Sequence, residues 1–221
     1  MEKTFINHFE GLTRNFAGDV ILPGDSRYEK ASATLFARGS PLAVLMPETA
    51  GDVAAAVKYV KEKGFPLAVR SGGHNAAGFG TNTGGVVIDL SAMNRIDVSD
   101  AARGKVRIGS GARWGDVAKV LGKHGLAISS GDTVSVGVGG LTLGGGIGWM
   151  VRKYGLAIDS LAGAEVVTVN EKLNPTASEN PELFWAIRGG GGNFGIVTSF
   201  DFLAHPVSDV YAGKLFSPVT K

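Results

Sequence analysis

Apolar positions along the chain recur first at one period and then at another, and the changes mark out strands and helices in alternation. Leu42-Ala43-Val44-Leu45-Met46 is a continuous apolar run enclosed by Pro41 and Pro47, which predicts a short strand. After Pro47-Glu48-Thr49 the period lengthens. Val53, Ala56, Val57 and Val60 repeat at helical spacing as far as Lys63, and Gly64 supplies the stop, so a helix is predicted there. Leu67-Ala68-Val69-Arg70 then reads as a buried strand. This strand–helix–strand unit runs into a glycine loop, Ser71-Gly72-Gly73-His74-Asn75.

Further strands are predicted at Val86-Val87-Ile88-Asp89-Leu90, at Lys105-Val106-Arg107-Ile108-Gly109, over 165–169 and over 196–203. A second helix is predicted over 114–124, with Val117, Val120 and Leu121 inward and Gly125 as its stop. A short helix is expected over 181–188, after Asn180. Residues 127–148 mix small residues, glycines and β-branched residues, and are read as extended loop and short strand. No internal repeat or low-complexity linker interrupts the pattern.

Length and composition narrow the picture. A chain of 221 residues is one large domain or two small subdomains, with enough residues for a real core. Hydrophobic residues make up 44% and charged residues 19%, the balance of an ordinary globular protein. Net charge is +2 and no Lys/Arg block stands out, which argues against a nucleic-acid partner. No run of about 18 apolar residues predicts a membrane span. Residues 1–16 mix charged and apolar side chains and do not read as a signal peptide. With no cysteine, disulfides, zinc–thiolate sites and a thiol nucleophile are excluded, and a cytoplasmic location is expected.

Glycine changes the picture most. There are 34, about twice the usual share. They cluster at 72–73, 78–80, 84–85, 109–111, 137–148 and 189–195. Such clusters in an apolar chain suggest main chain packed against a ligand. The loop Arg70-Ser71-Gly72-Gly73-His74-Asn75 can turn successive N–H groups toward one point and so hold an anion such as a diphosphate. It reads equally well as a plain tight turn with a surface histidine. It lacks the lysine of a phosphate-loop pattern, which disfavours triphosphate hydrolysis. From Gly137 to Gly148, seven of twelve positions are glycine and the rest are apolar or hydroxyl-bearing. Main chain so bare suits a flat, extended ligand, with Ser135 and Thr142 adding hydroxyls, or else the close packing of two backbone segments.

A formal G-x-G-x-x-G runs from Gly190 to Gly195, but a helix is expected before it and a strand after it. That is the wrong context for a dinucleotide fold of the Rossmann kind. Phe184 and Trp185 read as core. His8, His124 and His205 read as structural, no metal-ligand spacing is present, and no G-x-S-x-G elbow suggests a hydrolase.

Taken together and in this order, these segments resemble the FAD-binding (PCMH-type) domain of the vanillyl-alcohol-oxidase flavoproteins, and within them the berberine-bridge-enzyme-like group. The likeness spans about residues 20 to 207. Besides the glycine segments it rests on Leu22-Pro23-Gly24-Asp25 with Tyr28, Asp89-Leu90-Ser91 with Met93-Asn94, Gly109-Ser110-Gly111-Ala112, Arg152-Lys153-Tyr154-Gly155-Leu156 with Asp159, and residues 183–197.

The resemblance implies an α+β fold of two α/β subdomains with FAD between them. It divides the chain into an N-terminal segment at 1–36, an FAD-binding domain at 37–207 with subdomains near 37–100 and 101–207, and a tail at 208–221. It implies a cofactor-binding set of Arg70, Ser71, Gly72, Gly73, His74, Asn75, Gly78, Ser135, Val136, Gly139, Gly140, Gly145, Gly148, Ile196 and Val197. Loop 70–75 becomes the diphosphate cradle. His74 becomes the residue bonded to the flavin 8α carbon. Attack needs the neutral imidazole, and a nearby cation such as Arg70 is expected to help by disfavouring the charged ring. Some relatives carry a second flavin bond from a cysteine in a segment resembling residues 131–137, where this chain has Thr133. Attachment through His74 alone is therefore expected.

Family members continue into a substrate domain, so the resemblance identifies no catalytic base here and implies that these residues alone are a poor oxidase. The implied chemistry is oxidation of an alcohol, amine or sugar C–H, a small-molecule substrate of unspecified identity, with O2 as acceptor. A flavin-binding module without turnover is the alternative. A nucleotide-binding partner protein without redox chemistry is the third.

Overall fold

The computed structural model describes residues 16–211, together with Phe9, Gly11, Leu12, Gly213, Phe216 and Ser217. Its architecture is α+β, with two main sheets. The first is built from β1 (Asp19–Ile21), β2 (Ala43–Met46), β3 (Leu67–Arg70) and β4 (Val86–Asp89), in the order β1-β2-β4-β3. β2, β4 and β3 run parallel, and β1 pairs antiparallel with β2. Helix α1 (Tyr28–Ala31) follows β1, and α2 (Ala50–Lys63) makes the crossover from β2 to β3.

Local chemistry explains α2. The Thr49 side chain accepts from the Asp52 amide while the Asp52 carboxylate accepts from the Thr49 amide, which closes a capping box. Gly64, at φ 68°, ends the helix in the left-handed conformation that favours glycine. Between the caps Val53, Ala56, Val57 and Val60 face the sheet and are buried with Ala43, Leu45, Val86 and Ile88.

The second sheet is antiparallel and has five strands, in the order β5-β6-β10-β8-β9. These are β5 (Ile96–Asp100), β6 (Lys105–Gly109), β8 (Leu161–Val167), β9 (Lys172–Leu173) and β10 (Ile196–Leu203). A two-residue ladder joins β7 (Leu126–Ala127) to β11 (His205–Pro206). Helices α3 (Trp114–Gly122), α4 (Val138–Leu143), α5 (Val151–Tyr154) and α6 (Pro181–Ile187) complete this half. Its core brings Val117 and Leu121 of α3 and Phe184 and Ile187 of α6 against Ile108, Phe200 and Phe202. The two halves share a seam, because Val167 and Ile196 of the second sheet are buried in the core of the first.

Several expectations are corrected. The stretch 127–148 is not all loop and strand, since α4 occupies 138–143. Its sequence, Val-Gly-Gly-Leu-Thr-Leu, has poor intrinsic helix propensity. Tertiary contact overrides that, with Val138, Gly139 and Thr142 all buried. β3 is an edge strand rather than a buried one, with Leu67 40% and Val69 38% exposed. β8 begins at Leu161, earlier than expected, and α3 ends at Gly122. Trp185 is not core: Phe184 is buried, but Trp185 is 77% exposed. β1 lies at one edge of the first sheet, and β5 lies at one edge of the second. Among the described residues, no helix is long and apolar enough to cross a membrane.

Candidate functional site

The site begins where β3 stops. Arg70 lies opposite Asp89 of β4 in the parallel register. Its guanidinium is buried and donates to Asp89 Oδ2 from Nε at 2.9 Å and from Nη2 at 2.6 Å. Nη1 also donates to the carbonyl of Ala33 at 2.9 Å, and Nη2 to that of Ala31 at 2.6 Å. Arg70 therefore fastens the base of the loop to the segment after α1. Its charge is offset by Asp89, so it does not act as the free cation expected beside His74.

Beyond Arg70 the chain packs tightly against the segment that leads into α4. Ser71 Oγ donates to the Ser110 carbonyl at 2.6 Å and accepts from the Gly139 amide at 3.3 Å. Gly72 faces Gly137, and a Cβ on either would stand 2.2 Å from the other's amide nitrogen. Only glycine permits that approach. The close packing of two backbone segments is thus real at this point, and it brings the two glycine-rich segments together.

The packing leaves an unusual row of donors. Among the described residues, the amides of residues 72–77 donate to no protein acceptor. Consecutive unpaired N–H groups in a glycine-rich loop form a concavity for anions. Residues 70–77 contain no carboxylate to oppose one. His74 sits half-buried in this loop, and its Nε2 lies 3.1 Å from Ser135 Oγ. The Ser135 carbonyl accepts from the Arg113 guanidinium. Next to it the Val136 carbonyl accepts from the Trp114 amide at 3.0 Å, which ties this strip to the start of α3. The donor row and the bare backbone fit a diphosphate-bearing cofactor.

Ser71, Gly72, Gly73, His74, Ser135, Val136 and Gly139 are thus brought together. The other expected site residues are placed less directly. Asn75 is exposed, and its carbonyl accepts from the Gly78 amide at 3.1 Å. Gly140 is exposed with nothing near its Cβ position, whereas Gly148 lies against the Ser130 carbonyl. Gly145 is buried in a turn that bonds Thr142 to Ile158. Thr142 is fully buried, and its hydroxyl has no hydrogen-bond partner among the described residues. Ile196 and Val197 point their side chains into the two cores, which leaves only their main chain for any contact.

Sequence reasoning missed two residues. Ser110 is completely buried and donates to the Val197 carbonyl while its own carbonyl receives Ser71. Arg113 positions Ser135. Among the other histidines, His205 stacks on Tyr154 at 4.1 Å and meets Ser160 Oγ at 3.1 Å, with burial lowering its pKa. His124 is exposed, and His8 lies outside the described residues.

Comparison with known proteins agrees with this geometry. Residues 41–174 match the model of an FAD binding domain family. The chain is 43% identical over 187 residues to (R)-6-hydroxynicotine oxidase of Paenarthrobacter nicotinovorans, covering 83% of this chain and 41% of that protein. The crystal structure of 6-hydroxy-D-nicotine oxidase from Arthrobacter nicotinovorans superposes with a TM-score of 0.84 at 42% identity, covering 87% of this chain and 43% of the other. Glucooligosaccharide oxidase from Acremonium strictum superposes with a TM-score of 0.80 at 35% identity, over 87% of this chain and 41% of its own. That oxidase carries a 6-S-cysteinyl, 8α-N1-histidyl FAD. The chain spans 41% of the length of the hydroxynicotine oxidase it matches. With the cradle, the paired glycine segments and these likenesses in agreement, the chain belongs to the FAD-binding (PCMH-type) domain family of vanillyl-alcohol-oxidase and berberine-bridge-type flavoproteins, and its cofactor is FAD.

Proposed function

We propose that this chain is the flavin-holding part of an FAD-dependent oxidase, and that His74 carries the flavin through a bond from Nδ1 to the 8α carbon. The observation that supports this best is the row of unpaired amides at 72–77 with His74 inside it. In this reading the amides receive the diphosphate. Gly72 and Gly137 let the two main-chain segments close on each other, and Ser71 and Ser110 hold those segments in register. Nε2 of His74 faces Ser135, so Nδ1 is the nitrogen left for bonding. The chain has no cysteine, which rules out a second, thioether link of the kind that the glucooligosaccharide oxidase carries.

Bound here, FAD supplies a hydride acceptor at N5 and, once reduced, a donor of electrons to dioxygen. The substrate class that fits is an alcohol, amine or sugar with an oxidisable C–H, since the relatives include an oxidase of a hydroxynicotine and one of oligosaccharides. The test is intact mass under denaturing conditions for wild type and His74→Ala. Wild type is expected to carry FAD less two hydrogens, and the variant to carry nothing. An adduct retained by His74→Ala moves the bond to another residue. Flavin held only without a bond removes the covalent part of the reading.

A further inference from the structure

We propose that Ser135 is a positioning residue for flavin attachment, which holds the His74 ring in the tautomer protonated on Nε2. This rests on the reading that His74 bears the flavin. The contact itself is direct, with Ser135 Oγ 3.1 Å from His74 Nε2. Among the described residues no other partner engages that hydroxyl, and Arg113 pins the same residue through its carbonyl. A hydroxyl accepts as well as donates, and a neutral imidazole carries one proton on either nitrogen. Only the nitrogen without the proton has a lone pair for bonding. A proton kept on Nε2 by Ser135 leaves that lone pair on Nδ1.

The same hydrogen bond gains strength as the bond forms. When Nδ1 joins the 8α carbon, positive charge builds on the imidazole, and a bond from Nε2–H to an oxygen acceptor becomes charge-assisted. That interaction is stronger in the transition state than in the resting ring, which is the condition for accelerating a step. One proton leaves the 8α carbon and one leaves the imidazole as the N–C bond forms. The electron pair is left on the flavin and is taken up by dioxygen, which becomes hydrogen peroxide. Once Nε2 has lost its proton it becomes an acceptor, and the Ser135 hydroxyl turns to donate. Serine and threonine can play both parts; alanine can play neither.

The experiment uses the full chain, prepared free of flavin from riboflavin-deprived cells and then mixed with FAD. Adduct formation is followed by denatured intact mass for wild type, Ser135→Ala and Ser135→Thr, with thermal unfolding as a control of fold. Ser135→Ala is expected to form adduct about tenfold more slowly or worse, the effect of losing a hydrogen bond to a group that becomes charged. Ser135→Thr is expected to react near the wild-type rate. In parallel, nitrogen-15 NMR of the flavin-free protein reads the His74 tautomer at a pH where the ring is neutral, assigned by the signal missing from His74→Ala. Wild type is expected to be protonated on Nε2, and Ser135→Ala to be mixed. A normal rate in a folded Ser135→Ala, or a wild-type ring protonated on Nδ1, overturns the proposal. If Ser135→Ala does not fold, the wild-type NMR pattern decides. If wild type forms no adduct at all, the covalent reading of His74 fails, and the NMR still reports whether Ser135 fixes the tautomer.

Discussion

At the scale of single residues, the contact between Gly72 and Gly137 is the tightest constraint on the site. A methyl group at Gly137 would stand 2.2 Å from both the Gly72 nitrogen and Ser71 Oγ, and backbone cannot swing aside as a long side chain can. Gly137→Ala should therefore force the two segments apart, destabilising the fold by about 1–3 kcal/mol, the usual cost of overpacking. It should also weaken FAD binding. Urea denaturation and a flavin titration measure the two effects. Gly140→Ala is the control: nothing lies near its Cβ position, so little loss of stability is expected. Arg70 and Asp89 form the other sensitive pair, 2.6 Å apart and both largely buried. Asp89→Ala would strand a buried guanidinium, and breaking such a pair costs about 3–5 kcal/mol. Because Arg70 also bonds the carbonyls of Ala31 and Ala33, the loop that starts at Ser71 should lose its anchor along with that stability. An unfolding midpoint close to wild type in Asp89→Ala would show that the pair does not hold the loop.

At the scale of elements, α2 shows how local chemistry joins the first sheet to the chain before it. Burial pushes the Asp52 carboxyl upward in pKa, but donors from Ala17, Thr49 and Glu48 outweigh it and hold the group below its ordinary value. A carboxylate depressed in the folded state contributes stability that is present above its unfolded pKa, near 4, and is lost as pH falls through the folded value. Asp52→Asn should remove that part of the acid sensitivity and lower stability at neutral pH. Acid titration of the two proteins, followed by circular dichroism, checks both. This helix was legible in the sequence because its cap, its apolar spacing and its glycine stop are all local signals. So was the glycine loop, whose turn chemistry needs no distant partner. α4 was not legible, since a segment rich in glycine becomes helical through contacts with Ser71 and Ser110, far away in the chain. Arg113 and Ser110 were hidden for the same reason, as their partners lie at Ser135 and Val197. The only hint was their place in and just after Gly109-Ser110-Gly111-Ala112, a segment that the family resemblance already included.

At the scale of the whole molecule, two sheets with separate cores meet along a seam at Val167 and Ile196, and the glycine segments of the two halves close on one another at Gly72 and Gly137. The first half supplies the row of amides and His74. The second supplies Ser135, Gly137 and Gly139. On the proposed reading, a cofactor at that junction would bind both halves at once, as residues scattered in sequence and adjacent in space would require. The most direct test of this account is the visible absorption of the purified protein, before and after acid precipitation. The native protein is expected to show a flavin spectrum that stays with the precipitate, as a bond to His74 requires. A protein that is colourless and takes up no added FAD, or whose colour passes wholly into the acid supernatant, would contradict it: the first outcome removes the cradle, the second removes the bond.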